Sequence, residues 1–318
     1  MADASTDSEQ PSAAPRRSLA GQAAALAADI KLSHTVFALP FAALGMVLTA
    51  AWDNRLPHWV EIVLIVGCMV TARTYAMGVN RLADARLDAK NPRTANRAVP
   101  SGRVGRVFLS AAVVVSALGF FVGCLAFWWL RANPCPIAWS VPVLGVLTLY
   151  SFTKRFTWLC HLYLGLALAI SPVAAGLAVE PRFVEGHPTL WILAGMVLCW
   201  VAGFDVIYAL QDVESDRKHG VFSMPASLGV ERALWVSRGL HLVCLGCLIA
   251  AFLTSPLLGV FFGVAVAAVG ALLLLEHALV WRSESRKIHM AFFTVNGVIS
   301  LLLGAAGVWD ALQKIDAF

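Results

Sequence analysis

Three side chains that can bind a metal ion recur at helical spacing in one short segment of the sequence. Asn80, Asp84 and Asp88 lie four residues apart, so on a continuous helix they share one face and their oxygens can converge on a cation. Mg²⁺ suits this arrangement, because it usually takes one or two carboxylates and completes its shell with phosphate and water. On this segment alone, surface ion pairs with Arg81 and Arg86 explain the carboxylates equally well.

A loop rich in arginine follows these carboxylates. The chain turns at Asn91 and Pro92 and then carries Arg93, Arg97 and Arg103. A loop that combines carboxylates with arginines binds a bare cation or a bare anion poorly. It suits a metal diphosphate, because that ligand presents charges of both signs.

The same arrangement recurs later in the chain. Tyr208, Asp212 and Asp216 again advance by four residues at the end of an apolar segment, and a basic, turn-rich loop follows them. Lys154 and Arg155 end another apolar segment, where they serve either as topology signals or as ligands of an anion. Chance explains the recurrence poorly, so we interpret the two aspartate pairs as halves of one metal-diphosphate site.

The composition of the chain is that of an integral membrane protein. Hydrophobic residues make up 59% of the 318 residues and charged residues 14%, and the mean hydropathy of +0.75 excludes an ordinary soluble domain. Apolar runs of about 20 residues are long enough to cross a bilayer as helices. We therefore predict an all-α, polytopic membrane protein with nine spans, at roughly 35–52, 59–80, 107–130, 135–152, 159–179, 189–211, 233–253, 256–281 and 290–311.

The basic residues predict how these spans are oriented. Most of the 24 lysines and arginines fall before the first span or in the connections that follow even-numbered spans. The positive-inside rule therefore places the N-terminus and both aspartate motifs in the cytoplasm and the C-terminus outside. The opposite connections and the C-terminal segment hold only Arg55, Arg131, Arg182 and Lys314.

The chain divides into a tail and one domain. Residues 1–16 are polar and rich in serine, alanine and proline, and we expect them to be disordered. Residues 17–318 are expected to form a single transmembrane domain. The aspartate motifs at 80–88 and 208–216 are its internal pseudo-repeat.

Two charged side chains fall inside the apolar runs. Arg73 lies about two turns inside the second span, and Asp205 lies at a similar depth in the sixth. A charge at the centre of a spanning helix costs at least ~2.5 kcal/mol on insertion scales, so both should face a polar interior, where they can pair with each other. Such charges also occur in secondary transporters, but here the other carboxylates gather at one membrane face instead of the midplane.

These motifs resemble those of the UbiA superfamily of intramembrane prenyltransferases. The N-x3-D-x3-D pattern of residues 80–88 matches the family's first aspartate-rich motif, and the Y-x3-D-x3-D pattern of residues 208–216 matches its second. Residues 37–41 (FALPF), 91–97 (NPRTANR) and 150–155 (YSFTKR) add further matches. The resemblance therefore covers nearly the whole chain from about residue 30.

The resemblance is greatest to bacterial 4-hydroxybenzoate polyprenyltransferases, some of which are thought to act on 1,4-dihydroxy-6-naphthoate for menaquinone. It implies nine helices around a central cavity with a cytoplasmic cap of motif loops, in a bacterial inner membrane. The implied reaction moves a polyprenyl group from polyprenyl diphosphate to a small aromatic acid in quinone biosynthesis. Mg²⁺ is the implied cofactor, lipid surrounds the protein, and no nucleic-acid partner is expected. Arg81 departs from the family pattern, in which many members have aspartate; this bears on the subgroup, not on the activity.

The motifs and the resemblance together give each candidate residue an expected role. Asn80, Asp84 and Asp88 would hold one Mg²⁺, and Asp212 and Asp216 would hold another. A non-catalytic scaffold for quinone synthesis would have no use for such carboxylate pairs. The candidates for the leaving diphosphate are Arg93, Arg97, Lys154 and Arg155.

The aromatic acceptor needs ligands of its own. Its carboxylate requires a cation, for which Arg73 and Lys31 are the candidates. Tyr208 and Asp205 can orient the ring or accept its proton, although a role for both in holding Arg73 fits equally well.

Overall fold

The computed structural model describes residues 18–30, 37–281 and 291–315, and every regular element among them is helical. The all-α prediction is confirmed for this part of the chain. The predicted tail, residues 1–16, lies outside it. The helices are α1 (Leu19–Ile30), α2 (Leu39–Trp52), α3 (Trp59–Asp88), α4 (Arg106–Arg131), α5 (Cys135–Thr153), α6 (Cys160–Val179), α7 (Pro181–Gly186), α8 (Thr189–Ala209), a 3₁₀ turn (Leu210–Asp212), α9 (Val213–His219), α10 (Met224–Leu228), α11 (Val230–Thr254), α12 (Val260–Trp281), a π-helical turn (Ala291–Val295) and α13 (Asn296–Leu312).

Eight of the described helices are long and apolar enough to cross a membrane. They correspond to the second through ninth predicted spans. The first predicted span, 35–52, contains α2, whose 14 residues extend about 21 Å, less than the ~30 Å of a hydrocarbon core. Residues 35 and 36 lie outside the described part of the chain, so the count of nine stays a prediction.

Helix α8 is the most enclosed of the long helices, and it packs between α6 and α11. Its inner face presents Trp200 and Phe204, which meet two aromatic rings at the start of α2. The ring centroids of Phe41 and Trp200 are 5.6 Å apart, and those of Phe37 and Phe204 are also 5.6 Å apart. Offset and edge-to-face ring contacts of this kind stabilise a core beyond the area they bury. They fix α2 against α8.

The membrane side opposite the aspartate motifs carries a band of exposed tryptophans. Trp59 begins α3, Trp129 lies near the end of α4, Trp191 lies near the start of α8, and Trp309 lies near the end of α13. Tryptophan favours the boundary between lipid and water, because its ring is apolar and its N–H is polar. The band therefore marks the boundary of the membrane region on the side opposite the motifs.

A buried carboxylate links the helix ends on the same side as the tryptophan band. The side chain of Glu61 in α3 is 1% exposed and accepts hydrogen bonds from Arg55 at 3.0 and 3.1 Å and from Arg131 of α4 at 2.8 and 3.2 Å. Glu61 also accepts from the backbone N–H of His58, which caps the start of α3. Removing one partner of such a pair would leave a buried charge uncompensated.

Close packing of α6 on α8 depends on a glycine. A Cβ atom added to Gly165 would lie 2.4 Å from the carbonyl oxygen of Leu198, a backbone atom of α8. A Cβ atom added to Gly145 in α5 would have no atom within 4 Å.

We expect Gly165→Ala to lower the melting temperature of the detergent-solubilised protein by several degrees, because overpacking costs about 1–3 kcal/mol. Gly145→Ala is the matched control and should melt at or above the wild-type temperature; equal melting temperatures for the two variants would contradict this account.

Candidate active site

The first aspartate motif lies on the last turns of α3, where the helix continues unbroken to Asp88. Asp84 is 1% exposed, and both of its oxygens are bonded to cations from the end of α5. Lys154 donates through Nζ to Oδ2, and Arg155 donates through Nη2 to Oδ1 at 3.1 Å. Arg155 also donates to the carbonyl of Ala83 at 2.7 Å. The basic pair predicted for the diphosphate therefore lies directly against the first motif.

Asp88 is held by the loop that follows it. Arg97 donates through Nη1 to both carboxylate oxygens, at 2.8 and 2.9 Å. The hydroxyl of Thr94 donates to the carbonyl of Asp88 at 3.0 Å, which folds the loop back over the helix end. The Arg97 guanidinium is thereby placed beside the motif.

Asn80 and Arg81 connect the motif to α1. The Asn80 amide donates to Oδ2 of Asp84 at 3.0 Å, and its oxygen accepts from Arg81 at 3.1 Å. Arg81 forms a buried ion pair with Asp29 at 2.8 Å. Asn80 therefore orients Asp84, and the residue that departs from the family pattern anchors the N-terminal helix.

The second motif does not lie on a continuous α-helix. Helix α8 ends at Ala209, residues Leu210–Asp212 form a 3₁₀ turn, and α9 begins at Val213. The tighter turn rotates successive side chains by about 120° instead of about 100°. Tyr208, Asp212 and Asp216 nevertheless all border the same cavity, as the spacing predicts.

Asp212 joins the two halves of the site. Arg93, from the loop after the first motif, donates to both of its carboxylate oxygens, with Nε 2.9 Å from Oδ1. Asn91 donates to the same Oδ1 at 2.9 Å, and Arg93 also donates to the hydroxyl of Tyr208 at 3.0 Å. Burial alone would lower the pKa of Arg93, but its bonds to Asp212 and Tyr208 outweigh that effect and raise the pKa. Arg93 is therefore a permanent cation between the motifs.

Asp216 differs from the other three aspartates. Its described hydrogen bond comes from the hydroxyl of Ser223, at 2.8 Å, instead of from a cation. Ser223 also caps the short helix α10. The backbone N–H of Phe222 donates to the carbonyl of Lys154 at 2.8 Å. The loop after the second motif therefore meets the end of α5, and the elements that carry the site are linked at one membrane face.

The donor set fits Mg²⁺ as two pairs of ligands. Asp84 with Asp88, and Asp212 with Asp216, each offer two carboxylates at the border of one cavity, the number that Mg²⁺ usually takes when phosphate and water complete its shell. Within the described ranges, no three carboxylate, histidine or cysteine side chains are arranged as a complete metal site. A metal ion held by either pair would therefore need oxygens from a ligand or from water to complete its coordination.

One cavity of about 1130 Å³ runs from this charged mouth into the membrane region. Beyond the aspartates its wall is mainly apolar, with contributions from α2 through α6 and from α8. Residues near the opposite ends of the same helices, including Phe127, Leu177 and Trp191, also border it. A cavity of this volume has room for a hydrocarbon chain as well as a small polar group.

The predicted acceptor ligands have separate positions. Arg73 borders the cavity, and its Nη2 lies 3.5 Å from the carbonyl of Ile30. Lys31 lies outside the described residues. Asp205 also borders the cavity but hydrogen-bonds His161 of α6 at 2.7 Å instead of Arg73. The hypothesis of an Arg73–Asp205 ion pair is therefore wrong.

Four polar residues at the site were missing from the sequence prediction. His161 is the single histidine of the fifth predicted span, 159–179, and that isolation was the available signal. Asp29 is an acidic residue in an alanine-rich helix. Asn91 and Ser223 belong to the predicted loops, but their bonds to the aspartates depend on the folded geometry.

Comparison with known proteins agrees with this geometry. A protein named 4-hydroxybenzoate octaprenyltransferase from Acidovorax ebreus (strain TPSY) is 31% identical over 211 residues, which cover 66% of this chain and 69% of that protein. The apo structure of a UbiA homolog from Aeropyrum pernix K1 is 28% identical, covers 88% of this chain and 98% of its own, and superposes with a TM-score of 0.78.

A more distant structure shares the fold. The UbiA homolog from Archaeoglobus fulgidus bound to DMAPP and Mg²⁺ is 16% identical, with a TM-score of 0.68 and coverage of 92% of this chain and 99% of its own. Residues 38–298 of this chain match the UbiA prenyltransferase family. This range includes both aspartate motifs and the loops that link them. The chain is therefore a multi-pass membrane protein of the UbiA prenyltransferase family.

Proposed function

We propose that this protein transfers a polyprenyl group from a polyprenyl diphosphate to the ring of a phenolic acid, 4-hydroxybenzoate in the first instance, in quinone biosynthesis. The observation that carries the proposal is that two aspartate pairs and three basic side chains border the charged end of one apolar cavity, where a fourth basic side chain, Arg155, contacts Asp84. The name of the Acidovorax relative supports the choice of acceptor. The same chemistry on 1,4-dihydroxy-6-naphthoate is the second candidate.

The charged mouth suits the diphosphate. Asp84 with Asp88, and Asp212 with Asp216, would hold Mg²⁺, which would supply positive charge to neutralise the diphosphate as it leaves. Lys154, Arg155, Arg93 and Arg97 would add fixed positive charge around the departing oxygens. This charge neutralisation favours cleavage of the allylic C–O bond.

The apolar cavity suits the rest of the reaction. An allylic carbocation reacts with water, so a wall of hydrocarbon side chains protects it until the ring attacks. The carbon ortho to the phenol hydroxyl would form the new bond, and loss of the ring proton would restore aromaticity. Arg73 and Lys31 are the proposed cations for the acceptor carboxylate, and Tyr208 is a proposed contact of the ring.

The membrane environment completes the proposal. We place the protein in the inner membrane of a bacterial cell, with the N-terminus and the motif loops in the cytoplasm and the C-terminus outside. The water-soluble acceptor would then enter from the cytoplasm, and the prenylated product would pass into lipid.

The direct test is an assay of the purified protein with geranyl diphosphate, Mg²⁺ and either 4-hydroxybenzoate or 1,4-dihydroxy-6-naphthoate. We expect a product heavier than the acceptor by one geranyl group, identified by mass spectrometry, and the acceptor with the larger kcat/KM is assigned as the substrate.

The same assay tests the metal requirement. EDTA should abolish product formation and Mg²⁺ should restore it, because the diphosphate needs the metal charge to leave. Turnover that persists in EDTA would refute the metal assignment.

Removal of single aspartates tests the two-pair hypothesis. We expect Asp84→Ala, Asp88→Ala, Asp212→Ala and Asp216→Ala each to reduce prenyl transfer at least 100-fold in membranes supplied with Mg²⁺, a loss comparable to that of one strong electrostatic stabiliser. Glu214→Ala is the matched control, because this carboxylate lies between the two aspartates and is exposed. Near-normal turnover in two of the four aspartate variants would refute the hypothesis.

The contact between Arg93 and Asp212 predicts the behaviour of the linking loop. Arg93→Ala removes the bonds from Arg93 to Asp212 and Tyr208 and leaves that of Asn91 to Asp212, so the amide hydrogen exchange of residues 91–97 in ligand-free protein should be faster. Lys90→Ala removes a neighbouring exposed cation and should leave the exchange unchanged. Equal exchange in the two variants, measured by mass spectrometry, would show that the contact does not order the loop.

A further inference from the structure

One histidine at the border of the cavity is hydrogen-bonded to an aspartate that belongs to neither aspartate pair. His161 of α6 is 4% exposed, and its Nδ1 lies 2.7 Å from Oδ2 of Asp205 on α8, whose side chain is 22% exposed. Both residues border the cavity. The pair thus joins two tightly packed helices and leaves part of the carboxylate accessible to a ligand.

The backbone decides which nitrogen of His161 carries the proton. The N–H of Met224, the first residue of α10, points to Nε2 at 3.2 Å. Nε2 therefore accepts a hydrogen bond, and Nδ1 carries the proton that it donates to Asp205. A histidine bonded at both nitrogens has a fixed ring orientation, so it holds the carboxylate of Asp205 in one position.

Asp205 has bonding capacity that most carboxylates of the cavity lack. Within the described ranges, its hydrogen bond is made through Oδ2, and Oδ1 remains available to a ligand. Asp29, Asp84, Asp88 and Asp212 are each bonded to a lysine or arginine. Asp216 belongs to a proposed metal pair. Asp205 is therefore the carboxylate whose charge is not already committed to a cation or to the metal site.

The position of Asp205 along α8 places it below the diphosphate site. It precedes Tyr208 by one helical turn and Asp212 by two turns, which is about 10 Å along the helix axis. With the diphosphate at the level of the aspartate motifs, the allylic carbon and the ring that attacks it lie deeper in the cavity. Asp205 borders the cavity one turn further along α8 from the motif than Tyr208.

We propose that Asp205 accepts the ring proton during prenyl transfer, and that His161 is the positioning residue that holds it for this step. The inference rests on the proposed function. The ortho carbon of the ring first bonds the allylic carbon, whose bond to the diphosphate oxygen has broken. The C–H bond at that ortho carbon then breaks, its electron pair restores the aromatic ring, and the proton passes to Oδ1 of Asp205. No oxidant or reductant is involved.

The experiment separates cleavage of the diphosphate from loss of the proton. Purified protein is given geranyl diphosphate, Mg²⁺ and 4-hydroxybenzoate that is either unlabelled or deuterated at the two positions ortho to the hydroxyl. Released diphosphate and prenylated acid are measured in parallel. In Asp205→Asn we expect prenyl transfer to fall at least 100-fold, the usual effect of losing a general base. Diphosphate release should continue, with water capturing the cation as geraniol.

The isotope effect reports on the proposed role directly. With the base removed, proton loss becomes rate-limiting, so Asp205→Asn should show a larger isotope effect on its residual transfer than the wild type. His161→Leu should behave in the same way, with a lower kcat and an unchanged KM for geranyl diphosphate. His161→Gln is the matched control, because its amide N–H can still donate to Asp205 and should restore most of the transfer. Melting temperatures in detergent identify any variant that fails to fold.

The results for the variants and for the wild type distinguish failure of this inference from failure of the proposed function. Three outcomes would overturn this inference. The first is wild-type transfer in Asp205→Asn, the second is an unchanged isotope effect in the folded Asp205→Asn and His161→Leu variants, and the third is an equal loss of transfer in His161→Leu and His161→Gln. Loss of diphosphate release together with transfer in folded Asp205→Asn would also overturn it, because Asp205 would then act in ionisation. A wild-type protein that releases no diphosphate under any condition would overturn the proposed function, and this inference with it.

Discussion

Four aspartates from two distant segments must lie close together at the border of an apolar cavity, and their mutual repulsion must be offset. Charges of one sign repel strongly where water is scarce, and a buried charge is tolerated only with a partner. The structure supplies Lys154 and Arg155 to Asp84, Arg97 to Asp88 and Arg93 to Asp212. Each contact except that of Arg97 joins parts of the chain that are far apart in sequence. The charge balance therefore also holds α3, α5, α8 and the loop after α3 in register.

The ion pairs at the two membrane faces differ in their relation to the cavity. On the face opposite the motifs, Arg55 and Arg131 share one buried carboxylate, Glu61, and none of the three borders the cavity. On the motif face, the cations are exposed to a similar degree, but the aspartates that they contact border the cavity. The charged groups that line the cavity therefore lie at its motif end.

Apolar runs and aspartate spacing predicted most of the fold and the metal-binding candidates. The unbroken end of α3 agrees with the four-residue spacing, because that spacing describes a helix. The 3₁₀ turn before Asp212 was not predictable from the same spacing, since neighbouring helices and loops decide how tightly a helix end winds. The false pairing of Arg73 with Asp205 has a related cause. Sequence position gives depth in the membrane but not direction around the bundle, and Asp205 faces α6 and His161.

The cations that neutralise the aspartates would also compete with a metal ion for the same carboxylates. A metal ion that binds Asp212 alone must displace Arg93 and leave that guanidinium without its partner. A diphosphate that arrives alone meets guanidinium groups already bonded to carboxylates. Under the proposed function, a metal ion and a diphosphate that arrived together would take the carboxylates and the arginines respectively, and no charge would be left uncompensated. The two ligands would then bind with positive cooperativity, and by thermodynamic reciprocity each would raise the affinity of the other by the same factor.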